Sequence, residues 1–546
     1  MGAASERGGI GFREAFSIGV GGMIGGGIFA VLGLSLELAG SAAPVAFGLA
    51  GLVAGLTAYS YARLTRRYPS RGGTVEFIVR GYGNGILAGG LNVLLVLNYT
   101  VMIALYAYAF GSYAASSVGG GGLLARALAV AVIAAFTGVN ALGARVSGRV
   151  EDALVFFKLS VLVLVVAAVL PLVSWGSIAP SRWPGPLRIL VGGMIIFLAY
   201  EGFELIANSA ADAVRVEDVV KAYPASVAVV VAVYVAVALV AAGAMSPSEV
   251  VRARDYALAA LARKPLGTPG FLLVVAAALA STASAINATL YGTAGISYVV
   301  ARYGELPREV GRTLWGRAPE GLLLIAAVSS ALASLASLGD IATAGSAGFL
   351  LVFAAVDLAA YRLRRQVRAS PLLTLAGAAA SLASLAVLLY HTATTSPGEA
   401  ALFAALLVGS FASEALYRLL TGRRISRYVD PLLAEREELK RRWEAWAPRV
   451  VEALKSILGE FEAYLVGGMA RGEEESSHDV DILVVAGKPL HPRRLEEATR
   501  SLAGLPRHHP LHIHTATPEE ARRILAETPH KPLHRAHRDA GERGSS

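Results

Sequence analysis

The sequence predicts an all-α polytopic membrane protein of twelve transmembrane helices with a small soluble α/β domain at its C-terminal end. Three observations carry this. Of 546 residues, 55% are hydrophobic and only 16% charged, where soluble domains carry roughly 25% charge. Apolar stretches of about 20 residues, long enough to cross a bilayer core, recur through the first 420 residues. After Tyr417 the composition changes, and nine of the ten histidines lie beyond that point.

The expected spans, segments 1 to 12, are 13–37, 42–62, 84–116, 123–141, 149–172, 187–212, 219–244, 268–301, 319–338, 341–361, 372–390 and 399–420. The N-terminus has no basic stretch followed by a small-residue cleavage site, so no removable signal peptide is expected. Cysteine is absent, which excludes disulfides, thiolate catalysis and zinc–cysteine sites. A net charge of +9 raises nucleic acid as a partner, but membrane proteins gather Arg and Lys in cytoplasmic loops, and that explanation is preferred. Arg63, Arg66, Arg67 and Arg71 follow segment 2; Arg145 and Arg149 follow segment 4. Arg302, Arg308, Arg312 and Arg317 follow segment 8, and Arg362, Arg364, Arg365 and Arg368 follow segment 10. The bias puts the chain in the cell membrane with both termini cytoplasmic. Arg252, Arg254, Arg263 and Lys264 fall on the other side and are expected to form an amphipathic surface helix.

Segment 1 holds six glycines within Gly19–Gly27. Glycine is about 1 kcal/mol worse than alanine inside a helix, and bare backbone groups at membrane depth occur only where they line a cavity or are buried in protein. Segment 6 has a matching defect at Gly202, flanked by Glu201 and Glu204. Intramembrane carboxylates are costly and face a cavity or the bundle interior. Interrupted helices at corresponding places in two halves indicate a transporter built of repeats. The competing explanation of the glycines alone, close helix packing, leaves segment 6 unexplained.

The pattern Gly19-x-Gly21-x-x-Ile24-Gly25-x-Gly27-Ile28-Phe29 resembles the first segment of the amino acid-polyamine-organocation (APC) superfamily. The stretches Tyr61 to Ile78, Phe197 to Ala213, Asn287 to Pro307 and Leu350 to Arg365 are similar to other parts of that superfamily, over about residues 10–420. The resemblance implies two inverted five-helix repeats of the LeuT kind plus two further helices. It implies a substrate carboxylate held on N–H groups near Gly25, Gly26 and Gly27, where a half-helix start favours an anion. It implies an α-ammonium held by carbonyls around Met23, Ile24, Phe197 and Ala199, beside Gly202. Small residues at 25–27 leave room for a side chain.

Lys158 stands in segment 5, nine residues from Arg149, roughly 13 Å along a helix. It either snorkels to the cytoplasmic face or is a buried amine that titrates near neutral pH. In proton-coupled members that the chain resembles, a lysine of segment 5 replaces a bound cation. It is expected to reach segment 1 near Gly21 and Gly22 and hydroxyls of Ser281, Thr282 and Ser284. Glu201 and Glu204 are second proton carriers, or partners of a cationic substrate. Asp357 is expected to be solvated or Arg-paired. Proton-coupled symport is the expectation; amino acid exchange is the alternative.

Beyond Arg427, residues 432–458 read as a charged amphipathic linker helix broken near Pro448, followed by alternating short strands and helices. A strand ends in Gly467-Gly468, and Asp479-Val-Asp481 opens the next, with both aspartates on one face. Paired carboxylates beside a glycine turn suit magnesium and a nucleotide phosphate. The stretch resembles the nucleotidyltransferase superfamily of DNA polymerase β type, in a minimal form. The resemblance implies a third carboxylate on a later strand, where this sequence has His512 and His514. A weak transferase, a nucleotide-binding sensor and a degenerate stabilising module all remain open, as does a membrane-tethered enzyme. His530, His534 and His537 are expected in a solvated tail.

Overall fold

The computed structural model describes residues 10–70, 72–83, 85–141, 148–303, 313–314, 318–421, 439–440, 442–467, 469–471, 480–487, 491–505 and 509–534. The chain divides into two units, Met1–Tyr428 and Val429–Ser546.

The first unit is helical. Among the described residues, ten helices are long and apolar enough to cross a membrane. One of these apolar stretches, Gly27–Arg67, comprises helix Gly27–Ala39, the second half of expected segment 1, and helix Ala43–Arg67, which matches segment 2; the apolar helix Gly321–Leu335 is shorter than a span. Segment 1 is two helices, Phe12–Met23 and Gly27–Ala39, interrupted at residues 24–26. Segment 6 begins as helix Pro186–Ile196, tightens into a 3₁₀ turn at Phe197–Tyr200, opens at Glu201 and Gly202, and resumes at Phe203–Leu205 and Ile206–Ser209. The surface helix expected after segment 7 is observed as Pro247–Arg252 and the start of helix Ala257–Tyr303, which bends at Gly267. Lys264 there donates to the Ala244 carbonyl at 2.6 Å and pairs with Glu249 at 2.8 Å. The Lys264 ammonium holds the Glu249 carboxyl down at about 2. Two spans expected close together are separated at Ser337, whose hydroxyl accepts from the Asp340 N–H at 3.1 Å while the Asp340 carboxylate accepts from the Ser337 N–H at 2.8 Å. This reciprocal cap satisfies two orphan donors and starts helix Leu338–Arg362.

Helix Ile86–Ser117 is largely enclosed beyond its two exposed first residues, with Leu94, Leu95, Ile103 and Leu105 fully buried. An aromatic cluster fixes segment 6 against helices Ala43–Arg67 and Leu338–Arg362. The Tyr61 ring meets Phe203 edge-on at 5.6 Å and Phe353 at 5.8 Å, and Phe203 meets Phe353 at 5.2 Å. Asp357 corrects an expectation. It is fully buried, accepts from the Thr57 hydroxyl at 3.0 Å, and faces Gly377. Helix Leu338–Arg362 carries it inward because that face meets small residues of two neighbours rather than solvent.

The second unit contains a four-stranded sheet, β1 Glu462–Val466, β2 Val480–Val485, β3 Leu511–Ala516 and β4 His530–His534, in spatial order β3-β2-β1-β4. β2 and β3 run parallel, and the other neighbours run antiparallel. Helix Trp443–Leu458 continues through Pro448 and buries Trp446, Val450 and Leu454 against Leu465, Ile482 and Ile513. The expected break at Pro448 is therefore absent, and this helix belongs to the domain core. The His530 and His534 stretch, expected as a solvated tail, is an edge strand paired to β1, with the His534 ring 4.8 Å from Phe461. His537 lies outside the described residues.

Candidate functional site

The two helix interruptions meet face to face. Gly202 adopts φ +121°, which only glycine takes without strain. A Cβ on Gly22 would lie 2.8 Å from the Gly202 Cα, and one on Gly27 would lie 2.5 Å from the Ala199 Cα. The breaks therefore require glycine for two reasons, backbone conformation at Gly202 and contact distance at Gly22 and Gly27.

The freed carbonyls are held by three side chains. Tyr234 donates to the Met23 carbonyl at 2.8 Å and approaches the Ala199 carbonyl at 3.3 Å. Ser281 donates to the Ile24 and Gly25 carbonyls at 2.6 and 2.7 Å. Lys158 is 2% exposed and donates to the Gly21 carbonyl at 2.9 Å. The amine thus points into the protein, toward the end of the first half-helix. Of the hydroxyls expected near it, Thr282 donates back to the Ala278 carbonyl at 2.7 Å, and Ser284 lines the adjoining cavity. The carbonyls of Met23, Ile24 and Ala199, expected to take an ammonium, already accept hydroxyl donors, and each retains a second lone pair.

A cavity of about 170 Å³ adjoins the breaks, walled by Gly21, Gly22, Tyr99, Tyr106, Glu201 and Glu204 among others, with no basic residue among the described residues that line it. It is smaller than the roughly 300–1,000 Å³ typical of drug-sized sites. Glu204 accepts from the Gly202 N–H at 2.7 Å and from the Tyr99 hydroxyl at 3.3 Å. Glu201 is buried, and neither of its carboxylate oxygens has a hydrogen-bond partner among the described residues. The room expected over Gly25–Gly27 is filled: a Cβ on Gly26 would meet Tyr106 and Thr282, and one on Gly25 would meet Ala285. The Phe197 side chain is fully buried against Phe353, with ring centroids 5.9 Å apart. Sequence reasoning missed Tyr99, Tyr106 and Tyr234. The signal available for Tyr234 was a lone phenol in the apolar run VAVYVAVALV, since a buried hydroxyl must find a partner.

In the second unit, Asp479 and Gly468 lie outside the described residues. Gly467 turns with φ +78°, and a Cβ there would be 3.3 Å from an Asp481 carboxylate oxygen. Parallel pairing sets Asp481 opposite His512 and Leu483 opposite His514. The His512 Nδ1 lies 3.2 Å and the His514 Nε2 3.0 Å from the same Asp481 Oδ1. Partial burial pushes the Asp481 carboxyl up, but the two histidine hydrogen bonds outweigh it and hold the group well below the usual carboxylate range.

The family model described as amino acid permease matches residues 10–411, and that described as nucleotidyltransferase domain matches residues 447–534. The inner membrane transport protein YbaT of Escherichia coli is 36% identical over 368 residues, which is 66% of this chain and 85% of that protein. An uncharacterized protein of Methanocaldococcus jannaschii is 33% identical over 420 residues, covering 76% of this chain and 96% of its own length. Among solved structures, a manganese transporter of Eremococcus coleocola superposes with a TM-score of 0.50 at 14% identity, over 75% of this chain and 94% of that one. That likeness concerns the fold.

Proposed function

The chain belongs to the amino acid permease family, and on that premise we propose that its membrane unit is a proton-coupled amino acid symporter of the cell membrane. In this reading it crosses the bilayer twelve times as two inverted five-helix repeats plus two helices, with both termini cytoplasmic. The observation that carries the proposal is the buried Lys158 amine on the Gly21 carbonyl, at the point where the two broken helices touch.

A protonated amine makes a charge-assisted bond roughly twice as strong as a neutral one. Protonation of Lys158 ties segment 5 to the first half of segment 1, and proton loss loosens that tie. The half-helix is then free to move between inward and outward arrangements, which is the motion alternating access needs. The substrate carboxylate is bound by N–H groups at the start of helix Gly27–Ala39, which have no partner within the helix. The substrate ammonium takes the remaining lone pairs of the break carbonyls. Glu201, with bare oxygens in a cavity that has no basic residue among its described lining, accepts a proton or a cationic group. The C-terminal unit serves as a nucleotide-binding regulatory domain, with phosphate approaching the Gly467 turn beside Asp481.

A thermal-stability screen of the purified protein with the twenty amino acids, polyamines and nucleotides tests this. A ligand at 100 times its Kd stabilises by about 2.7 kcal/mol. At least one amino acid raises the melting temperature if the reading holds; stabilisation by none of them removes it.

A further inference from the structure

The donor set around Asp481 disagrees with the metal that its fold family uses. Magnesium takes oxygen ligands and keeps several waters, whereas imidazole suits zinc, copper, nickel and iron. Among the described residues, Asp481, His512 and His514 are the group whose ligating atoms all lie within 4.8 Å of one another. We propose that Asp481, His512 and His514 form a binding site for a first-row transition-metal ion of the zinc class, in place of magnesium.

The strand geometry builds this site. Neighbouring strands lie about 4.8 Å apart, and every second residue faces the same side. Asp481 and His512 are register partners on β2 and β3, and His514 follows two positions later on the same face. The intervening Leu511 and Ile513 are buried in the core, so the imidazoles stand on an anchored strand. Their side chains remain about half exposed, 51% for His512 and 47% for His514, which gives an ion a path in. Two ligand atoms on a tetrahedral zinc, each about 2.0–2.1 Å from the metal, are about 3.3 Å apart. The observed separations of 3.2 and 3.0 Å between each imidazole nitrogen and Asp481 Oδ1 are within a few tenths of an ångström of this, and all three ligand atoms lie within 4.8 Å of one another, a spacing that rotation of the half-exposed imidazoles closes. Three protein ligands leave a fourth position for water or for a ligand arriving past Gly467, which presents no side chain there.

The test uses the full-length, untagged protein in detergent, stripped with chelator and titrated separately with ZnCl₂, CoCl₂ and MgCl₂. Metal per protein is measured after desalting, and calorimetry gives the affinity. The expected result is one tight zinc equivalent that magnesium in 100-fold excess does not displace. Cobalt gives the visible absorption of a tetrahedral site. His512→Ala, His514→Ala and the near-isosteric Asp481→Asn each weaken zinc at least 10-fold, while His530→Ala leaves it unchanged. Zinc binding that survives the His512→Ala/His514→Ala double variant overturns the proposal, as does displacement by equimolar magnesium. Far-ultraviolet circular dichroism of each variant establishes that a lost site is not a lost fold.

Discussion

The two candidate sites are made of opposite materials. In the membrane unit the working groups are backbone carbonyls and N–H groups bared by glycine, buried, and each carbonyl held by a named side chain from another helix. In the C-terminal unit they are side chains, a third to a half exposed, standing on two neighbouring strands whose core is packed by other residues. A site of the first kind is welded into the packing, because a bared carbonyl in the interior must keep its partner. A site of the second kind can lose its ligands and leave the domain standing.

Four variants break or sharpen that contrast. The largest effect belongs to Gly202→Ala. Its φ of +121° and its contact with Gly22 leave no place for a methyl, and strain of this kind alone costs about 1–3 kcal/mol. Detergent melting falls by several degrees, whereas metal-free His514→Ala, which loses one half-exposed hydrogen bond, costs about 1 kcal/mol or less. Equal melting of the two would erase the contrast. Next, Tyr234→Phe removes the hydroxyl shared by the Met23 and Ala199 carbonyls and costs about 1–3 kcal/mol in thermal unfolding. An unchanged melting curve would mean those carbonyls are satisfied by other donors. Third, Glu201→Gln keeps volume and hydrogen-bonding capacity while removing the ionisable group. Stability does not fall, yet the dependence of uptake on a pH gradient weakens. A variant that is destabilised but transports normally would make Glu201 a packing residue.

The smallest effect is at the surface. Lys264 holds the Glu249 carboxyl at about 2, below the ordinary value of about 4.3. A depressed carboxyl contributes stability that is fully present above about 4.3 and is lost as pH falls toward 2. The melting difference between wild type and Lys264→Met is therefore present at pH 6 and vanishes near pH 2. It is small throughout because water screens a pair that is about one third exposed.

How much of this was legible in the sequence depended on whether a residue announced its own anomaly. The glycine run, Gly202 between two glutamates and the lone Lys158 each violate what a membrane helix wants, and each stands at the paired break. Tyr234 violates nothing. Its partner Met23 is 211 positions away, and only the tertiary fold brings them together. Asp357 misled because it sits near an arginine-rich helix end, while its burial is decided by Thr57 and Gly377 on other helices. The same distinction holds in the second unit. Asp481 follows a recognisable spacing and the position of His512 and His514 was readable from it, but β4 was hidden by its composition. A histidine-rich stretch looks solvated until a neighbouring strand supplies its hydrogen bonds.

The central claim is that Lys158 couples a proton to movement of the broken helices. The most direct measurement is uptake of radiolabelled amino acids into proteoliposomes, with and without an imposed pH gradient, for wild type and Lys158→Gln. The account predicts uptake that an inward proton gradient stimulates in wild type, and gradient-independent uptake or exchange in the variant. Wild-type uptake that ignores the gradient, or a Lys158→Gln protein that still responds to it fully, would contradict the account.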